Sequence, residues 1–592
     1  MAIEVKIRNK WTKTMVFLIV SVMLLSGCSA QNGNIMQQER SSPAAAAASD
    51  SAAVNTSADA GAAVETVKQI QFPDIQRKPR EIENKYGIYY QIFVRSFADS
   101  NNDGIGDLNG LTSRLDYLND NNPATNTDLG INGIYLMPVN VSPSYHKYDV
   151  TDYYNIDPDY GTMDDFRTFL DEAHKRGIKV ILDLVVNHTS SKHQWFKESA
   201  KAWGNPFRDY YSWVGGDEKG YNVRGTSSWG SRAWHAYGGS YYYGIFWGQM
   251  PDLNFDNPKV REEMKKIVRF WLEKGVDGFR LDAAMHIYGA FEKPAGTKLQ
   301  GKNLQWWREF GSAAEEVKPD VYLVGEVWDK TSVAAPYYRG LDSLFNFDVG
   351  EGIINVVNAG TNTAVGSKGF SPWLKEKYES FAAVEPNFLD APFLSNHDQN
   401  RSMDRLGGDI VKAKLAAGIY LTLPGNPFIY YGEEIGMRGS KPDERIREPF
   451  IWFKEPKPPQ AYWRSAASNA ATVPEEVQRE DPASLLNYYK QLIRLRQSSE
   501  ALMKGDYRAL DSGSSSLVAY GRSHTEGGNL KEDVIVLHNL SNEKQTVTLE
   551  GEDLSKAKII FAGNGKSRDK ISGSGVAISP NTTVVLQKAV AK

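Results

Sequence analysis

Eight short runs of apolar residues recur between residues 87 and 434, and several of them are almost uninterrupted. Such runs are typical of parallel strands that are covered on both faces of a sheet. The runs are Gly87–Phe97, Ile131–Val139, Gly177–His188, Gly275–Ala284, Val321–Trp328, Asp342–Val349, Asn387–Asp398 and Asn426–Glu434. The pattern therefore predicts eight parallel strands.

The segments between these runs carry the spacing of helices that bury one face. Residues 163–177 begin with acidic residues, place apolar side chains from Phe166 to Ala173 on one side, and end at a glycine. Residues 257–275 follow the same plan, with a proline near the start. Strands that alternate with helices predict an α/β fold, a (β/α)8 TIM barrel. A doubly wound open sheet is the alternative, disfavoured because no glycine-rich dinucleotide turn is present.

One connection is far longer than the others. Residues 189–257 separate the third run from the next helix, and a connection of this length predicts an inserted subdomain over the barrel mouth. After residue 501 the pattern changes to short alternating segments, which predict a C-terminal β-sandwich. The predicted domains are a catalytic barrel over 68–500, with the insert at 189–257, and an all-β domain over 501–592.

The first 67 residues differ in character from the rest. Basic residues precede the apolar run Met15–Leu25, which is too short to span a bilayer comfortably and is typical of a signal peptide. The run ends in Leu-Ser-Gly-Cys, which resembles a bacterial lipobox. We predict a lipoprotein signal peptide over 1–27, lipid on Cys28, and a flexible tether over 28–67 that is rich in Ala and Ser. A plain secretory signal with an incidental cysteine is the alternative.

Composition narrows the possible partners. The net charge is −4 and no basic stripe is present, which argues against a nucleic-acid partner. Cys28 is the only cysteine, so no intrachain disulfide can form. The 14 Trp and 30 Tyr residues suit sugar binding where they lie with glycines in loops. We expect a monomer, anchored by lipid to the extracellular face of a bacterial cell membrane.

Polar residues stand at the predicted ends of the strands, where the active sites of such barrels lie. Arg280 and Asp282 are two residues apart on the fourth strand and therefore share a face. Gly278 shares that face and is expected to leave room beneath. An adjacent cation lowers the pKa of a carboxyl group by about 1–3 pH units. Arg280 is therefore expected to hold Asp282 ionised, as a nucleophile requires.

Glu326 ends the fifth strand in the apolar segment Leu-Val-Gly-Glu-Val-Trp. An apolar surround raises the pKa of a carboxyl group, so Glu326 is predicted to be a general acid. Two carboxyl groups in opposed environments indicate glycoside hydrolysis. Asp398 adds a third carboxyl group, which is available to bind sugar hydroxyls and to help distort the sugar ring. For any one of these residues, a structural ion pair or a strand-end cap is the alternative to a catalytic role. Polar residues at four strand ends together disfavour that alternative.

Four short blocks, Asp183–His188, Gly278–His286, Gly325–Trp328 and Ser395–Arg401, resemble those of the α-amylase family of glycoside hydrolases, in the same order. The resemblance covers about residue 86 to the C-terminus. It implies that Asp282 is the nucleophile, Glu326 the acid/base and Asp398 the stabiliser of the transition state, with Arg280 orienting Asp282. It also implies substrate contacts for further residues, with an aromatic ring stacked on the sugar. These are His146, Tyr148 (the stacking residue), His188, His286 and His397.

The implied chemistry is double displacement. Asp282 attacks the anomeric carbon while Glu326 protonates the leaving oxygen, and water then hydrolyses the β-glycosyl-enzyme with Glu326 acting as the base. The anomeric configuration is retained. Retention requires the two carboxyl groups to lie about 5–5.5 Å apart.

Residues 99–107 begin like an EF-hand, but position twelve is Gly110, where an EF-hand needs a bidentate Glu. The segment still offers hard oxygen ligands suited to Ca²⁺. It resembles the calcium loop after the first strand in oligo-1,6-glucosidases and some α-amylases. A solvated turn rich in Asn and Asp is the alternative. The ligands implied are Asp99, Asn101, Asp103, the Ile105 carbonyl and Asp107, and a second family site would use Asn187.

Three positions bear on the substrate. Residues Met250–Asn254 read Met-Pro-Asp-Leu-Asn. This segment resembles the one found in a group of enzymes intermediate between oligo-1,6-glucosidases and neopullulanases, a group that contains bacterial α-amylases. Ala283 is similar to members that act on α-1,4 bonds. Met285 stands where many α-amylases have a lysine on the leaving-group side, which leaves transglycosylation open.

We therefore predict a secreted, lipid-anchored α-amylase that hydrolyses internal bonds of starch and maltooligosaccharides. Alternatives within the family are an α-glucosidase or oligo-1,6-glucosidase, or an enzyme that hydrolyses cyclodextrins or pullulan. A starch-binding lipoprotein on an inactive barrel is the alternative outside enzymes, disfavoured because all three carboxylates are present.

Overall fold

The computed structural model describes residues 86–216, 219–227, 230–289, 299–563, 570–572 and 575–590. The predicted signal peptide, Cys28 and the tether lie outside these residues, and the domain limits drawn there stay predictions. In the part of the chain that the structure describes, no helix is both long enough and apolar enough to cross a membrane.

Each of the eight predicted runs contains a strand, and all eight strands lie parallel in one sheet. Its order is β7-β6-β5-β4-β3-β2-β1-β8. The strands are β1 (Tyr89–Ile92), β2 (Gly133–Leu136), β3 (Lys179–Leu184), β4 (Gly278–Leu281), β5 (Tyr322–Gly325), β6 (Ser343–Phe345), β7 (Leu389–Ala391) and β8 (Phe428–Tyr430).

Backbone hydrogen bonds join the two edges of this sheet. The N–H groups of Asn426 and Phe428 donate to the carbonyls of Asp390 and Pro392 at 2.8 and 3.0 Å. Since these bonds connect β8 to β7, the sheet curls into a nearly closed barrel. The predicted (β/α)8 fold is confirmed.

The two helices predicted in detail are present. Met163–Lys175 begins with a capping box between Thr162 and Asp165 and buries the predicted apolar face. Pro258–Glu273 begins with Asn257 as its cap and the proline in its first turn. The other α-helices outside the insert, among the described residues, are Val94–Phe97, Leu108–Thr112, Leu115–Leu118, Gln300–Glu315, Thr331–Ala334, Phe347–Ala359, Phe370–Ala382, Ser402–Arg405, Ile410–Tyr420, Asp443–Ile446, Glu475–Gln478, Leu485–Gln497 and Glu500–Lys504.

The insert after β3 is built from aromatic residues around a small antiparallel sheet. Its strands pair in the order Trp213–Gly215, Ser240–Tyr243 and Trp234–Tyr237, and the helix Gln194–Ser199 precedes them. The insert returns to the barrel through an isolated bridge between His188 and Asp252. Because His188 lies a few residues beyond the carboxyl end of β3, the insert lies at the mouth of the barrel, as predicted.

The C-terminal domain is two antiparallel sheets around one core. Side chains from both sheets, among them Leu537 and Val576, form a single buried apolar cluster, which is the arrangement of a sandwich. The five-stranded sheet runs Asp506–Ala509, Leu517–Glu526, Asn529–Asn539, Thr583–Gln587, Lys558–Ala562, and the three-stranded sheet runs Gln545–Thr548, Gly575–Ile578, Lys570–Ser572.

Candidate active site

The register of the barrel places Arg280 between two neighbours on adjacent strands. On β4 it lies level with Asp183 of β3 and with Val324 of β5. Its side chain is only 2% exposed. The sequence suggested that Gly278 leaves a space below Arg280, but the structure shows no such space. A Cβ at Gly278 would lie 2.0 Å from the carbonyl oxygen of Tyr322, so glycine is required by the close approach of β5.

Three carboxyl groups surround this one guanidinium. Nη1 of Arg280 donates to Asp183 at 2.9 Å and to Asp282 at 2.6 Å, and Nη2 lies 2.7 Å from Oε2 of Glu326. The predicted nucleophile and the predicted acid/base are thus held by two nitrogens of the same side chain. Both carboxyl groups follow the ends of neighbouring strands, Asp282 after β4 and Glu326 after β5, and both lie against the same guanidinium.

The direction of the pKa shift at Asp282 differs from the sequence expectation. Burial raises the pKa of Asp282, and the opposing effect of Arg280 is countered by the negative charges of Glu326, Asp183 and Asp398. The pKa of this carboxyl group therefore lies well above its usual range. The expectation that Arg280 holds the pKa of Asp282 low was wrong, because the same cation also serves Asp183 and Glu326.

The backbone after the nucleophile adopts an unusual conformation. Ala283 has φ of +49°, in the left-handed region that side chains other than glycine rarely adopt. This turn lets the N–H of Ala283 donate to Oε2 of Glu326 at 3.1 Å. The carbonyl of Ala284 accepts from the indole of Trp307 at 2.7 Å, which holds the turn in place. Strain of this kind concentrates at active sites.

Asp398 has its own cationic neighbours. Oδ1 accepts from Nη2 of Arg447 at 2.8 Å, and Oδ2 lies 3.0 Å from Nε2 of His397. Burial raises the pKa of Asp398, but His397, Arg447 and Lys441 outweigh it and hold the pKa well below its usual range. Asp398 is therefore an anion, and 34% of its side chain remains exposed to meet a ligand.

A hydrogen-bond network links the two ends of the site. The hydroxyl of Tyr148 donates to Asp183 at 2.7 Å and lies 2.5 Å from Nε2 of His397. The rings of Tyr148 and His397 stack at 5.4 Å between centroids. The amide of Gln91 is 2.8 Å from Nδ1 of His397, and the hydroxyl of Tyr135 donates to Asp183 at 2.6 Å. Stacking of Tyr148 on a sugar stays a prediction.

The other predicted sugar-contacting histidines are neutral and gather near the barrel mouth. Burial lowers the pKa of His188 and of His286 to about 4, and that of His146 to about 3. Phe246 of the insert packs against His188 and His286 at 5.6 and 5.9 Å between ring centroids. The insert thus supplies an aromatic side chain beside two of the predicted sugar-contacting histidines. Buried Nε2 of His188 has no hydrogen-bond partner within the described residues, so it is available to a ligand.

The predicted calcium loop is organised around Asp99. Its carboxyl group is buried and accepts from the backbone N–H groups of Asn101, Asn102 and Gly104 at 3.1, 2.6 and 2.7 Å. Asn101 Nδ2 donates to Asp103 at 3.1 Å, so these two side chains lie together at the surface.

Of the remaining predicted calcium ligands, Asp107 and Ile105 take part in local hydrogen bonds of the loop, and Asn187 lies outside the loop. Asp107 caps the helix Leu108–Thr112, and the N–H of Ile105 donates to Asp103 at 2.8 Å. Asn187 lies after β3, and its buried Oδ1 has no partner among the described residues. Within those residues no group of three or more His, Cys, Asp or Glu side chains is arranged to hold a metal ion.

The structure adds residues that sequence reasoning missed. Gln91 and Tyr135 look like ordinary strand residues in the sequence, and their contacts with His397 and Asp183 depend on the closed barrel. Arg447 comes from the segment after β8, which carries no local signal of a site. Lys147 has φ of +65° and pairs with Asp157 at 2.9 Å, which fixes the backbone between His146 and Tyr148.

Comparison with known proteins agrees with this geometry. The family description "Alpha amylase, catalytic domain" matches residues 91–505, and "Alpha-amylase SusG C-terminal domain" matches residues 517–585. "Alpha-amylase 3" of Dictyoglomus thermophilum is 45% identical over 507 residues, which cover 85% of this chain and 93% of that protein.

Two further relatives frame the range of activities. "4-alpha-glucanotransferase" of Thermotoga neapolitana is 37% identical over 465 residues and covers 77% of this chain and 96% of that protein. The crystal structure of an alpha-amylase from H. orenii superposes with a TM-score of 0.78 at 45% identity, over 85% of this chain and all of that one.

Proposed function

The chain belongs to the α-amylase family of glycoside hydrolases, and from this premise we propose that it hydrolyses internal α-1,4 bonds of starch and maltooligosaccharides with retention. The observation that carries the proposal is the bridging of Asp282 and Glu326 by the single guanidinium of Arg280. A paired nucleophile and proton donor is what a retaining glycosidase needs.

The first half of the reaction follows from these positions. A carboxylate oxygen of Asp282 forms a bond to the anomeric carbon as the bond to the leaving oxygen breaks. Glu326 transfers a proton to that oxygen, so the shortened glucan leaves with a neutral hydroxyl. The anionic Asp398, fixed by His397 and Arg447, is placed to bind hydroxyls of the reacting ring more strongly as the ring flattens.

The second half reverses the roles. Glu326, now ionised, takes a proton from water, and that water attacks the anomeric carbon and displaces Asp282. Two inversions restore the α configuration. We infer that, with the sugar bound, Glu326 carries the proton and Asp282 the negative charge, as the two halves of the reaction require.

A second candidate activity is transfer of a glucan to another sugar instead of to water. The relative from Thermotoga neapolitana carries the name of a transferase. Met285, half-buried after the nucleophile, offers no charged contact to the leaving-group side. The outcome depends on whether water or a sugar hydroxyl reaches the intermediate first.

Product profiles on amylose, maltotriose, isomaltose and pullulan test the proposal. Rapid loss of iodine staining with a ladder of maltooligosaccharides supports an endo-acting α-amylase. Activity confined to isomaltose or other short sugars would replace it with an α-glucosidase or oligo-1,6-glucosidase. Products longer than the maltotriose supplied would establish transfer.

We propose that Ca²⁺ binds the loop around Asp99, where carboxylate, amide and carbonyl oxygens are concentrated. The adjacent side chains of Asn101 and Asp103, with Asp99 behind them, support this choice because hard cations prefer oxygen ligands. The ion would tie the loop together, so we expect its effect on the stability of the native protein. The buried Oδ1 of Asn187, without a partner in the described ranges, suits a second ion.

We propose that the mature protein is tethered by lipid at Cys28 to the outer face of the cell membrane. The support is the lipobox-like sequence and the Ala- and Ser-rich segment that follows it. Cys28→Ser tests this: the wild type should fractionate with membranes, and the variant should not carry lipid. An unmodified Cys28 in the mature wild type would contradict the proposal.

A further inference from the structure

The inserted subdomain presents three aromatic rings at its surface. The exposed fractions are 64% for Trp203, 50% for Tyr237 and 46% for Trp247. Five Trp, Tyr or Phe side chains are exposed in the part of the chain that the structure describes, and three of them belong to this one short insert. Aromatic rings carry a large apolar area that is normally buried. Their concentration on the insert therefore indicates a surface that meets a ligand.

The most exposed of the three rings, Trp203, is held against a buried cation. The guanidinium carbon of Arg208 lies 4.0 Å from the ring centre of Trp203 and 3.8 Å from that of Trp213. Nη1 of Arg208 donates to the carbonyl of Ser199 at 3.2 Å, and the indole of Trp213 donates to the hydroxyl of Ser199 at 2.8 Å. Cation–π contacts of this kind are favourable when the cation is desolvated. Trp203 is therefore fixed in place although most of its surface faces solvent.

The three exposed rings are connected by the buried ring of Tyr242. Ring centroids of Tyr242 lie 5.5 Å from Trp213 and 6.5 Å from Tyr237, and Tyr237 lies 6.1 Å from Trp213. The hydroxyl of Tyr242 donates to the carbonyl of Gly248 at 2.5 Å, which holds the segment that carries Trp247. Because Trp213 also packs against the cation below the most exposed ring, packed side chains link all three rings.

One end of this set of rings lies at the mouth of the barrel. Trp247 follows Phe246, and the ring of Phe246 packs against His188 and His286 at 5.6 and 5.9 Å between centroids. His188 comes after β3 and His286 after β4, the strand that leads to the predicted nucleophile. The exposed rings therefore begin beside the candidate active site and continue over the surface of the insert.

The surface beside the rings is open and built from small residues. A Cβ added at Gly204, Gly238 or Gly239 would meet no heavy atom within 4 Å. Ala202 and Ala236, on the other side of the same rings in the sequence, are exposed as well. Separate flat rings with open space beside them suit a chain of sugar rings, whose C–H faces stack on aromatic faces while their hydroxyls stay in water. A protein partner would need a contiguous apolar patch instead.

We propose that Trp203 and Tyr237 form a second α-glucan-binding surface, which holds one part of a long chain on the insert while another part enters the catalytic cleft. The inference rests on the proposed action on starch and adds a binding site outside the cleft. Two contacts with one polymer raise the effective concentration of that polymer at the carboxyl groups. A short oligosaccharide cannot reach both places, so loss of the surface should affect long substrates only.

Trp203→Ala and Tyr237→Ala, alone and combined, test the proposal in the full chain. Migration in native gels with and without amylose measures binding, and initial rates on amylose and on an aryl α-maltotrioside measure activity. In the double variant, binding of amylose should weaken about tenfold and KM for amylose should rise by a similar factor, with kcat unchanged. The value of kcat/KM on the trioside should match wild type. Trp203→Phe keeps a flat ring and should retain most of the binding, and Leu530→Ala, an exposed apolar residue of the C-terminal domain, is the control.

Three results would overturn the proposal. The first is a wild type that amylose does not retard, and the second is a double variant that binds amylose as the wild type does. The third is an equal loss on amylose and on the trioside with a lower melting temperature, which would make Trp203 a structural cover for Arg208. If Trp203→Ala does not fold, unchanged binding by Tyr237→Ala is enough to reject the surface. Retardation of the wild type by amylose without hydrolysis would count against the proposed function only.

Discussion

Nη2 of Arg280, on β4, lies 2.7 Å from Oε2 of Glu326, the residue that follows β5. The sequence around Glu326 suggested an apolar environment for the acid/base. The structure instead gives it polar neighbours. It accepts from Arg280 and from the N–H of Ala283. The reactive carboxyl groups therefore share one polar cluster.

Replacement of Glu326 by Gln should reduce hydrolysis of starch by about 10²- to 10⁴-fold, because the leaving oxygen no longer receives a proton. The loss should be much smaller for an aryl α-glucoside whose phenolate departs unassisted. Initial rates on both substrates check this. Glu351→Gln, at an exposed ion pair, is the control. Equal losses on both substrates would remove Glu326 from the role of proton donor.

Replacement of Arg280 by Met should destabilise the fold as well as abolish activity. It leaves the buried carboxyl groups of Asp183 and Asp282 and the half-buried one of Glu326 without their cation, and breaking a buried ion pair costs about 3–5 kcal/mol. Arg167→Met removes an exposed pair with Asp164 and should change stability by no more than about 0.5 kcal/mol. Urea unfolding compares the two. Equal, small effects would show that the cluster is not buried as described.

Stability should fall in mild acid partly through His538, which is fully buried between Tyr520 and Thr583. Burial lowers its pKa from 6.5 to about 3. Between these values the unfolded chain binds a proton that the native protein does not bind, so stability is complete above pH 6.5 and is lost as the pH falls. The loss at pH 5 is roughly 2 kcal/mol.

His538→Gln should therefore show a smaller drop in melting temperature between pH 7 and pH 5 than the wild type. His524→Gln, in the same domain, controls for the loss of an imidazole. An identical drop in His538→Gln and wild type would mean that this histidine is not held neutral.

Chelation of calcium should lower the melting temperature of the wild type, since an ion that binds only the native state stabilises it. Addition of Ca²⁺ should reverse the shift. Asp103→Ala should abolish the response. Asp511→Ala, a similarly exposed aspartate in the C-terminal domain, should leave it intact. A full response in Asp103→Ala would place the ion elsewhere, and no response in the wild type would exclude it.

The fold was predictable because buried parallel strands and one-sided helices leave clear patterns in the sequence. The ends of the strands were not. The run Gly87–Phe97 contains β1 only to Ile92 and then the short helix Val94–Phe97, and a helix beginning at Phe347 follows β6 within another run. Residues on both sides of each boundary are buried, and burial alone does not distinguish a strand from a helix.

The site was predictable where chemistry and strand ends coincide, as at Asp282, Glu326 and Asp398. It was not predictable where the partner is distant in sequence. Arg447 lies 49 residues after Asp398 and meets it only because the segment after β8 folds back. The pKa of Asp282 was misjudged for the same reason, since its anionic neighbours Asp183 and Glu326 come from other strands.

The most direct test of the central claim is the configuration of the first product. Proton NMR of a fast digestion of a maltooligosaccharide shows which anomer of the new reducing end appears before mutarotation. Paired action of Asp282 and Glu326 predicts that the α-anomer appears first. If the β-anomer appears first, water attacks the sugar directly, and Asp282 does not form the covalent intermediate.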